Sequence, residues 1–224
     1  MMKHRINVET KRYLADLQTP VGLYLKVRDI FPESALLESS DFHSGDNSFS
    51  FIGIDPIARF KVENEIVSYS YPDKTNKNIE LSEDNKLTDV FISFLQSFDV
   101  QGENSTNING LFEVNYEQAG GYTSYDAIQY FEGAVNSSNR KLANADIPEF
   151  YYILYRYTLV INHLKNELTI VENIPEGEVA QAYKLEGVIM NNNIASYNFE
   201  TIGEEQSMIN DSEHKEMIRK GIEH

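Results

Sequence analysis

Cysteine is absent from all 224 residues, and so is tryptophan. Without thiols the chain has no disulfide, no thiolate zinc site and no cysteine nucleophile. That fits a reducing compartment, and a cytoplasmic location is the expectation. Cations are scarce: 19 Lys+Arg stand against 35 Asp+Glu, a formal net charge of -16. A chain so acidic repels phosphate backbones and anionic lipid, and no basic stripe offsets this, so neither nucleic acid nor membrane is expected as a partner. No apolar run approaches the ~20 residues of a membrane-spanning helix. Met1-Met2-Lys3-His4-Arg5 has no apolar stretch behind it, so no signal peptide is read there. The sequons at Asn104 and Asn136 lie in Asn-rich loops and, with no secretion signal, are read as chance matches.

Common catalytic signatures are missing too. There is no Walker-type loop, no G-x-G-x-x-G and no G-x-S-x-G. The histidines His4, His43, His163, His214 and His224 form no H-E-x-x-H and no close pair, so no metal site is built on them. Glu204-Glu205 and the Glu176/Glu178 pair sit in polar surroundings and read as solvated surface. Asp126 precedes a helical run, where an acid favours the helix N-terminus. Gly120-Gly121-Tyr122 reads as a tight backbone approach rather than a phosphate cradle.

What is present is enough for a core: 41% hydrophobic and 12% aromatic residues. Thr19-Pro20 reads as a capped helix start, with Val21, Tyr24, Leu25 and Arg28 on one face, Leu23, Val27 and Ile30 beside them, and Pro32 ending the run. A strand over Ala35–Ser40 follows, then a turn cluster at His43–Asn47. Phe49, Phe51 and Ile52 open another strand, which Gly53 to Pro56 are expected to break. Ala58, Phe60 and Val62 alternate with polar residues, as do Val67, Tyr69 and Tyr71, with a hairpin turn at Glu63-Asn64. Residues 72–86 read as exposed polar chain. Leu87, Val90, Phe91, Phe94, Leu95 and Phe98 recur at helical spacing. A loop over 99–107 and a short strand at Leu111–Val114 come next, then a helical stretch Tyr125–Phe131 and a polar segment 133–145. Phe150–Ile161 predicts a central strand, and Leu168–Val171 its antiparallel partner. Val179, Ala182, Tyr183, Glu186, Ile189 and Met190 predict a helix. Residues 196–209 read as a linker, and Asp211 or Ser212 as the cap of a last helix through Ile222. His224 falls within that helix with no C-cap signal, so the expectation is a piece of a longer chain. Hairpins mixed with helices, without a βαβ rhythm, argue for an α+β fold with antiparallel sheet.

One stretch combines an apolar strand with reactive polar groups: Ser34-Ala35-Leu36-Leu37-Glu38-Ser39-Ser40-Asp41. In an extended chain Ala35, Leu37 and Ser39 share one face, and Leu36, Glu38 and Ser40 the other. A strand ending this way can close one wall of a small-ligand pocket; read blandly, it is a core strand running into a polar turn.

Several segments, in order, resemble the N-terminal region of anthranilate synthase component I, a chorismate-utilising enzyme. They are Thr19-Pro20-Val21, Leu36-Leu37-Glu38-Ser39, Ser50-Phe51-Ile52-Gly53 and Asp55-Pro56. Further on come Gly121-Tyr122-Thr123-Ser124-Tyr125-Asp126, Phe131-Glu132, Asp146-Ile147-Pro148 and Asn162-His163. The likeness runs from about residue 10 to the end. One departure is clear: where many relatives carry Gly-Arg-Tyr, this chain has Asn47, Ser48 and Phe49.

The resemblance implies a regulatory domain over residues 1–195, a linker over 196–210, and in 211–224 the start of a helix leading into a chorismate-binding catalytic domain. The whole enzyme makes anthranilate from chorismate, with Mg2+ as cofactor and ammonia from a glutamine amidotransferase subunit (component II). This portion implies no catalytic residue, no metal and no cofactor of its own. Its implied role is feedback sensing of L-tryptophan, with Leu37, Glu38 and Ser39 as inhibitor-binding residues. The absence of tryptophan from the chain suits an enzyme made when tryptophan is short. Two alternatives are carried: aminodeoxychorismate synthase component I of the folate pathway, and a stand-alone amino-acid-binding module.

Overall fold

The computed structural model describes residues 3–38, 48–102, 119–131, 147–191, 200–203, 207 and 209–223. In chain order the elements are β1 (His4–Leu14), α1 (Pro20–Val27), β2 (Ala35–Glu38), β3 (Phe49–Glu63), β4 (Ile66–Ser70), β5 (Asn76–Glu80), α2 (Leu87–Gln96), β6 (Phe98–Gly102), β7 (Ala119–Thr123), a 3-10 helix (Tyr125–Tyr130), β8 (Phe150–Asn162), β9 (Glu167–Pro175), α3 (Ala182–Ile189) and α4 (Asp211–Ile222). The chain divides into two compact units, Met1–Ile194 and Ala195–His224.

β8 is aromatic and β-branched throughout and buried over nearly its whole length, the composition of a strand covered on both faces. It lies at the centre of a single sheet ordered β5-β4-β3-β8-β9-β1-β6, with β2 added to β3 and β7 to β8. Among the described strands every pairing is antiparallel except β1 with β6. The α+β class with antiparallel sheet therefore holds.

Alternation along the strands feeds two cores. α2 sends Leu87, Val90 and Phe94 into one, against Phe60, Val62, Tyr69, Tyr71 and Phe150. α1 and α3 send Leu23, Val27, Ala182, Leu185 and Ile189 into the other, against Ile52, Ile54, Leu159 and Ile170. Thr19 caps α1 by accepting from the Gly22 amide at 3.0 Å. Lys26 Nζ donates to the Ile189 carbonyl at 2.7 Å, placing a cation on the negative end of α3.

The sheet curls until its ends meet. β4 and β1 stand far apart in the strand order, yet the His4 ring stacks on Tyr71 at 4.2 Å. Phe98 at the start of β6 lies 5.8 Å from the same tyrosine ring.

Several expectations need correction. In α1 it is Leu23 and Val27, beside the Val21 stripe, that are buried, while Val21 itself is half exposed. Residues 53–56 do not end a strand: β3 runs through them with a register shift between Pro56 and Ala58 and a left-handed Asp55 at φ 62. An extra residue on one strand bends the ladder without ending it. Polar residues 72–86 include β5, a polar edge strand. Residues 99–102 belong to β6, because pairing with β1 satisfies their backbone. Ile6 and Val8 of β1, a strand the sequence reading passed over, are buried. The α4 cap is Asn210, not Asp211 or Ser212, in a capping box with Glu213. Expectations for residues 39–47, 103–118, 132–146 and 192–199 lie outside the described residues.

Candidate functional site

β2 reaches the sheet edge through β3, in the register Ala35↔Gly53, Leu36↔Ile52, Leu37↔Phe51 and Glu38↔Ser50. Leu36 packs into the α1/α3 core. Leu37 is 40% exposed, and Glu38 is exposed at the strand's last position. Alternation puts these two side chains on opposite faces, Glu38 with Leu36 and Leu37 with Phe51. The strand thus brings an apolar surface and a carboxylate to the same edge without bringing them together. Ser39 lies outside the described residues.

Opposite Glu38, the buried Ser50 hydroxyl bonds His163 Nε2 at 2.7 Å. Sequence reading missed this pair: the residues are 113 positions apart, and only the β3–β8 register joins them. Nearby, the Tyr155 ring lies where a Gly53 Cβ would stand. Burial pushes the Tyr155 phenol well above its ordinary range, with the Tyr151 ring adding to the effect.

A second polar centre ties β8 and β9 to the approach of α3. Arg156 Nη2 donates to Glu172 at 2.9 Å and to the Val179 carbonyl at 2.8 Å, and Nη1 pairs with Glu178. Glu172 also accepts from the Gln181 and Ala182 amides at 2.8 Å. All three nitrogens of this guanidinium have partners, so the cluster fastens strand to strand. Glu178, read as solvated and indeed exposed, is one of its partners. Partial burial pushes the Asp55 carboxyl up, opposed by the Arg156 guanidinium.

An apolar hollow of about 330 Å³ opens between α2 and β8, lined by Leu87, Thr88, Phe91, Ile92, Phe131, Phe150 and Tyr152. At Gly120-Gly121-Tyr122 the tight approach is real: a Cβ on Gly121 would collide with the Tyr151 carbonyl. Among the described residues no three His, Asp or Glu side chains gather as a metal site. No described helix is long and apolar enough to cross a membrane.

This arrangement defines an α+β sheet domain with a polar strand edge. Comparison with known proteins sharpens that. The chain is similar to anthranilate synthase component 1 of Thermus thermophilus, 25% identical over 178 residues, which cover 80% of this chain and 34% of the relative. The chain thus spans about a third of that relative's length. The resemblance carried by the motifs is borne out at this level. Among solved structures, anthranilate synthase component I from Streptococcus pneumoniae aligns at a TM-score of 0.47 and 17% identity, covering 95% of this chain and 45% of that one. No family model matches the chain.

Proposed function

We propose that this chain is the N-terminal, tryptophan-sensing portion of an anthranilate synthase component I. The observation that carries the reading is the 178-residue likeness to the Thermus enzyme, together with the ordered motifs from Thr19-Pro20-Val21 to Asn162-His163. On this reading the whole protein is a lyase that makes anthranilate for tryptophan biosynthesis in the cytoplasm. Chorismate and Mg2+ are held outside this chain, and component II, a glutamine amidotransferase, supplies ammonia. The 224 residues contribute the wall of an inhibitor site and no catalytic group.

An amino-acid inhibitor needs acceptors for its ammonium, donors for its carboxylate and an apolar surface for its ring. Leu37 supplies an apolar face and Ser39 a hydroxyl, while Glu38 supplies a carboxylate from the strand's other face at its last described position. Feedback then requires two states that bind tryptophan unequally. A wall shared with a second domain suits this, because the ligand biases how the two are placed.

The test uses the full-length protein with chorismate, ammonia and Mg2+. Anthranilate should form, and tryptophan should inhibit. Glu38→Ala should raise the half-inhibiting tryptophan concentration about tenfold or more, the loss of ~1.4 kcal/mol of binding. Inhibition untouched by Glu38→Ala would remove β2 from the site, and an aminodeoxychorismate product would move the protein to the folate pathway. The 224-residue chain alone should make no anthranilate.

A further inference from the structure

Ser50 is a polar side chain in apolar company. It is 1% exposed, with Ile52 two positions along its own strand and Ile161 opposite it on β8. A buried hydroxyl is costly unless it is bonded. Its partner is His163 Nε2, at 2.7 Å. The His163 main-chain N–H donates to the Ser48 carbonyl at 3.0 Å. One residue beyond the end of β8 therefore grips the start of β3 twice, by side chain at Ser50 and by backbone at Ser48, just ahead of the strand.

On its other side Ser50 faces β2. Glu38 is its register partner, and antiparallel partners hold their Cβ atoms about 4.5–5.5 Å apart. β2 is four residues long and, among the described residues, β3 is its one strand neighbour. So short an edge strand has little of its own to fix its last residue, and Glu38 has no ion pair or hydrogen bond among the described residues. The Glu38 carboxylate stands beside Ser50 across the β2–β3 ladder.

We infer that the Ser50–His163 hydrogen bond is a latch that fixes Glu38 at the end of β2, making Ser50 and His163 positioning residues for the ligand wall. The link to ligand affinity rests on the function proposed above; the hold on β2 does not. The imidazole Nε2 is the atom in use, which gives a conservative test. A glutamine at position 163 places its terminal amide near Nε2, whereas asparagine reaches only as far as Nδ1. His163→Gln should keep the latch; His163→Asn and Ser50→Ala should lose it.

Two readouts on the full-length protein separate latch from ligand. By hydrogen–deuterium exchange mass spectrometry, amides of β2 should exchange about tenfold faster in Ser50→Ala and His163→Asn, one hydrogen bond's worth. They should stay within about twofold of wild type in His163→Gln, with β9 unchanged throughout. By calorimetry, tryptophan should bind about tenfold more weakly to the first two variants and near normally to His163→Gln. Unchanged β2 exchange in Ser50→Ala and His163→Asn would overturn the latch, as would a His163→Gln no better than His163→Asn. Should Ser50→Ala not fold, the two His163 variants decide alone. The exchange readout needs no ligand, so a wild-type protein blind to tryptophan would sink the ligand reading while β2 exchange still decides the latch.

Discussion

Arg156 is the residue whose environment departs most from what its type suggests. Its side chain is 5% exposed and that of its partner Glu172 is 1% exposed. Removing one member of a buried pair leaves the other charge without compensation, at a cost of about 3–5 kcal/mol. Arg156→Met should therefore lower the urea midpoint steeply with little change in slope, whereas a shift no larger than that of an exposed lysine variant would show the pair to be dispensable. Asp73 gives a pH-dependent counterpart at the surface. Hydrogen bonds from the Thr75 hydroxyl and amide, with His4 nearby, hold its carboxyl below the usual 3.8. A depressed carboxyl stabilises the fold above the unfolded value and loses that contribution as the pH falls through the folded one. The difference in urea midpoint between wild type and Thr75→Val should be present at pH 6 and fade as the pH falls below 3.8 and through the lower folded value; a constant difference would mean that the threonine acts by packing. Neither environment was legible from residue type. Glu178 is surface as its type suggests, but its pairing with Arg156 spans 22 positions, and Ser50 and His163 are chemically mute until the register joins them.

At the scale of elements, patterns were readable wherever one face is buried and one is not. α2 announced itself by six apolar residues at helical spacing, and five of them fall within its bounds. Phe98 does not, because the chain turns there to pair with β1. β1 alternates too, with Ile6 and Val8 inward, but the charged residues between and after them masked a strand whose outer face is solvated. β3 was read as two strands because Gly53, Asp55 and Pro56 are breaker residues; the long ladder with β8 carries the chain past them. Phe94 shows what α2 contributes. It is buried among the rings of Phe60, Tyr69, Tyr71 and Phe98. Phe94→Ala should cost about 3–5 kcal/mol in chemical denaturation. Ile92, half exposed on the opposite rim of the helix, should cost about 0.5 kcal/mol or less as alanine. Equal losses at the two positions would mean that α2 is not seated as described.

For the whole unit up to Ile194, the consequential feature is that strands at opposite ends of the sheet share one core. Ile6 and Val8 of β1 and Phe98 of β6 join Val67, Tyr69 and Tyr71 from the β4 side around α2. No local pattern in the sequence encodes that closure, because it depends on the accumulated twist of strands that never pair with one another. His4 is where it can be tested. Its ring stacks on Tyr71, tilts against Phe98 at 5.9 Å, and lies 3.8 Å from Asp73. Removing it takes away an aromatic pair worth about 0.5–1.5 kcal/mol while leaving the β1 ladder intact, since that ladder is made by backbone groups. If the closure holds the sheet ends together, His4→Ala should speed amide exchange in β1, β6 and the β4–β5 hairpin in parallel. The central β8–β9 pair should keep its protection, because it is braced from the other face by α1 and α3. Faster exchange confined to the first residues of β1 would mean that the two ends are held independently. The sheet would then be an open one whose edges happen to touch, and the core around α2 would owe nothing to their meeting.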